Sequence, residues 1–77
     1  MNPTVLDARG LACPLPAIKT RIALAGLPPG GALLVLATDP EAPIDVAAVA
    51  ADAGCTVTEA YDGRAWRLLV ERPRLAR

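Results

Sequence analysis

Cys55-Thr56-Val57-Thr58-Glu59-Ala60-Tyr61 and Ala65-Trp66-Arg67-Leu68-Leu69-Val70-Glu71-Arg72, joined across Asp62-Gly63, decide the fold. Asp-Gly between two β-prone runs is a strong hairpin turn. In the second run Trp66, Leu68 and Val70 alternate against Arg67 and Glu71, which predicts one core face and one wetter face. Immediately upstream, Pro43 to Ala53 reads as a helix with Gly54 at its C-terminal cap. Val46, Val49, Ala50 and Ala53 recur at helical spacing and give that helix a single apolar face. The second half of the chain is therefore helix, strand, strand.

Working outward, Ala32-Leu33-Leu34-Val35-Leu36-Ala37 is an unbroken apolar run between turn signals, as a strand covered on both sides would read. Before it, Pro14 to Leu27 predicts a helix, stopped by Gly26 and Pro28-Pro29-Gly30-Gly31. Ala17, Thr20, Leu24 and Leu27 line one side of it, and Leu15, Ile18, Ile22 and Ala25 another. Only Lys19 and Arg21 are charged, so apolar surface is expected to show. Val5-Leu6 fits a short first strand closed by Asp7-Ala8-Arg9-Gly10, where Gly10 can supply a positive φ. The order β-α-β-α-β-β predicts an α/β two-layer sandwich: a four-stranded mixed sheet with two helices on one face. No linker or internal repeat divides residues 1–77, which are expected to form one domain, with Arg72-Pro73-Arg74-Leu75-Ala76-Arg77 as a frayed tail.

Composition narrows the functions available. Eight Lys+Arg balance eight Asp+Glu, and the chain holds one Trp, one Tyr and no Phe. A neutral chain so poor in stacking rings is not expected to bind nucleic acid directly. Neither a signal peptide nor a membrane span is visible, so a cytoplasmic protein with no membrane partner is expected. There the two cysteines should be thiols rather than a disulfide.

Cys13 carries the chemistry. It stands directly before Pro14-Leu15-Pro16, at or just ahead of a helix N-terminus, where free backbone N–H groups and the helix dipole favour an anion. Its thiol is accordingly expected to ionise below the usual value of about 8.5. The chain has no histidine, which removes Cys-His catalysis. The two cysteines lie too far apart for a metal-ligand pair or a Cys-x-x-Cys dithiol, and no phosphate-binding glycine loop is present. No metal and no cofactor is therefore expected. Exchange at sulfur needs no local base and remains. Cys55 shares strand parity with Val57 and reads as structural, and Asp39 and Asp45 read as residues favouring the start of the second helix.

Leu6-Asp7-Ala8-Arg9-Gly10-Leu11-Ala12-Cys13-Pro14-Leu15-Pro16 resembles the signature of the TusA/SirA-like sulfur carriers: Leu-Asp, then Gly-Leu, then Cys-Pro-x-Pro. Lys19, Pro29-Gly30, Asp39-Pro40, Asp45 and Gly54 fit the same pattern across nearly the whole chain. Thr38, where an acidic residue often precedes Asp39, departs from it. The resemblance implies the same two-layer sandwich, similar to the C-terminal domain of a translation initiation factor. It also implies that Cys13 carries a sulfane sulfur as a persulfide, loaded by a cysteine desulfurase or a rhodanese and passed to an acceptor protein. Acceptors in the family include relay proteins for tRNA thiolation, and other members serve sulfur oxidation or molybdenum-cofactor supply. Such a chain is a sulfurtransferase component rather than a stand-alone enzyme. Gly10, Pro14 and Pro16 would shape the helix start, with Arg9 and Lys19 nearby.

Around Cys13, Leu15 and Ile18 are candidate apolar docking contacts, and Arg9, Lys19 and Arg21 candidate charged ones. The alternative is a non-catalytic interaction or regulatory domain of the same fold that keeps the cysteine for packing. Solvent access to Cys13 separates the two readings.

Overall fold

The computed structural model describes residues 2–74. Six elements follow the predicted order: β1 (Thr4–Ala8), α1 (Leu15–Ala25), β2 (Ala32–Ala37), α2 (Ala42–Asp52), β3 (Thr56–Tyr61) and β4 (Trp66–Glu71). They form one four-stranded sheet in the order β1-β2-β4-β3. β1 runs parallel to β2, and β4 is antiparallel to both β2 and β3. The sheet is therefore mixed, and the α/β sandwich holds.

The hairpin turns as expected. Asp62 Oδ1 accepts the Arg64 and Ala65 N–H groups at 2.9 Å each, and Gly63 takes the positive φ of 91° that the tight turn demands. Pairing is in register from Thr56 opposite Glu71 to Tyr61 opposite Trp66. Those two rings pack with centroids 4.8 Å apart, tilted by 49°, and close the turn end of the hairpin.

Leu33, Val35, Leu68 and Val70 point from the two central strands into the core and are fully shielded there. α2 meets them with Val46, Val49 and Ala50, and α1 with Ala17 and Leu24. Among the described residues Thr20 is the one buried polar residue, and its hydroxyl donates to the Pro16 carbonyl at 2.7 Å, which satisfies it inside the apolar layer. Leu15, Ile18 and Ile22 face outward on α1, the exposed apolar surface that its two-sided pattern implies.

The reading of β2 needs correction. Its residues alternate between buried and half-buried, because both helices lie on one face of the sheet and leave Ala32, Leu34 and Leu36 on the other. An all-apolar run need not be covered twice when its outward side chains shelter one another across strands, here Leu34 beside Val5 and Leu69. The tail also differs from expectation. Arg72 exchanges backbone hydrogen bonds with Gly30 and Gly31, and its guanidinium donates to the Leu24 carbonyl at 2.9 Å. It is tied down as far as that residue, while residues 75–77 lie outside the described residues.

Candidate functional site

Cys13 lies in the short loop between β1 and α1, and its side chain is exposed, whereas Cys55 is buried in the core cluster. Gly10 begins that loop with a φ of 81°, a conformation that a residue with a Cβ adopts only at a cost. Its N–H donates to Thr38 Oγ1 at 2.9 Å, which ties the β1–α1 loop to the β2–α2 loop. A second tie follows three residues on, where the Cys13 N–H donates to Asp39 Oδ2 at 3.1 Å. Asp39 Oδ1 accepts the Glu41 N–H at 2.8 Å, so one carboxylate holds the Cys13 backbone and the start of α2 together. The Cys13–Pro14 peptide bond is cis.

The decisive contact comes from α2. Asp45, in its first turn, accepts a hydrogen bond from the Cys13 thiol, with Sγ and Oδ2 2.9 Å apart. That bond can form only while the sulfur keeps its proton. The Cys13 thiol is pushed up to about 11, first by this hydrogen bond, then by desolvation and by the negative charges of Asp45, Glu41 and Asp39.

The expectation of an acidified thiol is therefore reversed, and the first turn of α1 shows why. Pro14 and Pro16 have no N–H to offer, the Leu15 N–H is donated to the Ala12 carbonyl at 2.8 Å, and the Cys13 N–H is taken by Asp39. Of the backbone groups around this helix start, two lack an N–H and two have theirs already engaged, so few donors are left to stabilise an anion. Meanwhile three carboxylates approach from the start of α2 and the loop before it. Asp39 does favour the start of α2, as its side-chain bond to the Glu41 N–H requires, but Asp45 faces the thiol.

Sγ of Cys13 and carboxylate oxygens of Glu41 and Asp45 lie within 4.8 Å of one another, but with a protonated thiol they do not make a metal-ligand set. A thiol must lose its proton to ligate, and the neighbouring negative charges oppose that step. Glu41 escaped the sequence reading altogether. Its only sequence signal is a position just before the apolar stretch of α2, and proximity to Cys13 arises from the fold.

An open groove of about 520 Å³ runs from Cys13 between the helices, lined among others by Ile18, Arg21, Asp45 and Val49. A smaller hollow of about 220 Å³ shares Arg21 and Val49 and extends toward Arg72. Of the proposed docking residues, Ile18 and Arg21 line this groove, while Leu15 is half-exposed beside Pro14. Lys19 is exposed but is not part of the groove lining. Arg9 is engaged elsewhere: its guanidinium grips Asp7 through two contacts of 2.8 Å, which holds the Asp7 carboxyl down at about 2.

A two-layer β-α-β-α-β-β sandwich with one exposed cysteine at the start of its first helix defines a small thiol-bearing domain of the SirA-like fold. A SirA-like protein from Desulfitobacterium hafniense has this fold: its crystal structure superposes with a TM-score of 0.81 at 25% identity, over 92% of this chain and 99% of that one. Residues 4–72 match the family described as Sulfurtransferase TusA, and the chain belongs to that family. A proposed sulfur carrier protein of Neisseria meningitidis serogroup A is 43% identical over 62 residues, which is 80% of this chain and 84% of the relative. The sulfur carrier protein TusA of Pseudomonas fluorescens is 49% identical over 41 residues, 53% of this chain and 49% of that protein.

Proposed function

We propose that this protein is a sulfur carrier that receives a sulfane sulfur on Cys13 as a persulfide and hands it to an acceptor protein. The observation that carries the reading is the contrast in access: Cys13 Sγ stands at the mouth of the groove between α1 and α2, and Cys55 is buried. A cysteine kept only for packing would have the surroundings of Cys55.

In the loading step, Cys13 gives up its proton and attacks the terminal sulfur of a persulfide on the donor. A new S–S bond forms at Cys13 as the donor's S–S bond breaks. The donor departs as a thiolate, which takes up one proton, so protons and electrons balance and no external oxidant is needed. Unloading is the same exchange, with an acceptor thiolate attacking the terminal sulfur on Cys13. The chain has no histidine to direct these steps, so orientation must come from the protein that docks.

A cysteine desulfurase or a rhodanese is the donor class that fits this chemistry, and a relay protein of tRNA thiolation, sulfur oxidation or cofactor supply the acceptor class. The cytoplasm suits a carrier whose thiol must stay reduced. Among the described residues no helix is long and apolar enough to cross a membrane.

The test is loading by a persulfide donor, with the added sulfur mapped by peptide mass spectrometry. One sulfur should appear on the Cys13 peptide and vanish in Cys13→Ser. Loading that persists in Cys13→Ser and disappears in Cys55→Ser would remove Cys13 as the carrier.

A further inference from the structure

We propose that Asp45 is a positioning residue that holds the proton on Cys13 while the protein is empty, through a contact the loaded protein cannot make. The proposal rests on the sulfur-carrier reading for its consequence in transfer, but its first part concerns the free thiol alone.

The geometry is a two-point hold. Asp39 fixes the Cys13 backbone by accepting its N–H at 3.1 Å, and Asp45 accepts a hydrogen bond from the thiol at 2.9 Å. The thiol therefore points toward α2 rather than away from it. The charged groups facing it are Asp39 from the loop after β2, Glu41 and Asp45 from the start of α2, and Arg21 from α1 in the shared groove. The three carboxylates disfavour a thiolate, and the direct hydrogen bond from Cys13 to Asp45 disfavours it most. An exposed cysteine in this state resists adventitious alkylation and oxidation, because the thiolate is the reactive form.

Loading changes the chemistry at one atom. In Cys13–SH the proton sits on Sγ and is donated to Asp45. In Cys13–S–SH, Sγ is bonded to sulfur and carries no proton, so two electron-rich atoms would face each other across the former hydrogen bond. The contact that stabilises the empty form is lost in the loaded form, and the terminal sulfur turns away from α2 toward an incoming acceptor. Asp45 thus separates the two states of the carrier without a second cysteine or a histidine.

The experiment follows iodoacetamide alkylation of Cys13 against pH, quantified on the Cys13 peptide, in wild type, Asp45→Asn and Asp45→Glu. Asp45→Asn removes the charge at nearly constant size and should lower the midpoint by about one pH unit or more. Each unit raises the thiolate population near neutral pH about tenfold, and the alkylation rate rises by a smaller factor because nucleophilicity falls as the pKa falls. Asp45→Glu keeps a carboxylate within reach and should retain most of the wild-type midpoint. An unchanged midpoint in Asp45→Asn, or a fall in Asp45→Glu as large as that in Asp45→Asn, overturns the assignment. Should Asp45→Asn fail to fold, the wild-type protein answers through NMR. The Asp45 side-chain carboxyl carbon should shift with the same midpoint as the Cys13 Cβ, and a flat Asp45 signal through that transition overturns the proposal. Neither readout uses a sulfur donor, so a failure here leaves the loading test untouched, and a failure of loading leaves this one standing.

Discussion

The two helices of this protein begin alike and behave differently. Each has a proline in its first turn and neither is closed by a hydrogen bond from its own N-cap side chain. α2 brings its own negative charge, with Asp45 in the first turn and Asp39 just ahead accepting the Glu41 N–H. α1 brings none, and the loop before it turns to the same two carboxylates: Asp39 for the Cys13 N–H and Asp45 for the thiol. The carboxylates of one helix start thus serve both. The reactivity of Cys13 is set across the groove rather than by the helix it precedes.

The most disruptive way to break this arrangement is to remove its shared member. Asp39→Ala deletes both accepted N–H bonds and should destabilise the fold by about 2 kcal/mol, at about 1 kcal/mol for each hydrogen bond lost. Urea denaturation measures it. Asp39→Asn keeps one acceptor oxygen and should cost about half as much. A loss confined to a few tenths of a kcal/mol in Asp39→Ala would mean that the two helix starts are held together by other contacts.

A smaller effect is expected on the α1 side of the groove. Arg21→Glu replaces a positive charge with a second negative one in a groove that already presents Asp45, and it should slow transfer from the cognate protein donor several-fold. Loading by a small inorganic polysulfide provides the comparison, since it needs no docked protein. Lys19→Glu lies outside the groove lining and should slow transfer less than Arg21→Glu. Equal effects of the two reversals would show that the partner reads the general charge of α1 rather than the groove.

Much of this architecture can be read from residues alone, and the reasons are local. The Asp62-Gly63 turn and the alternation of Trp66, Leu68 and Val70 specify a hairpin without reference to the remainder of the chain, and β4 buries Leu68 and Val70 as that pattern requires. The i, i+3, i+4 spacing of Val46, Val49 and Ala50 likewise identifies the buried face of α2. Cys13 and Cys55 are also separable, one before Pro14 and Pro16 and the other in phase with Val57, the residue of β3 that packs against the core. The electrostatics of the site were not legible. Asp45 is thirty-two residues from Cys13 in the chain, and the carboxylate–thiol contact exists only once α1 and α2 pack side by side. The dipole of α1 is also a poor guide by itself, because Pro14 and Pro16 remove N–H groups that a helix start ordinarily offers. Thr38, a departure from the family pattern, still supplies an oxygen to the Gly10 N–H, a role an acidic side chain could fill equally.

The same contact carries a pH signature for stability. A thiol whose pKa is raised on folding contributes stability that is fully present below its unfolded value and is lost as pH rises through its folded one. For Cys13 that loss should begin as pH passes the ordinary thiol value and be complete past pH about 11. The same group provides the most direct measurement of the central claim, that α2 rather than α1 governs this cysteine. It is the pH profile of iodoacetamide alkylation of wild-type Cys13, followed on its own peptide under native conditions. Control by the carboxylates of α2 predicts half-maximal reactivity near pH 11. A midpoint below that of a free cysteine, about 8.5, would contradict it and return control of the thiol to the helix it precedes.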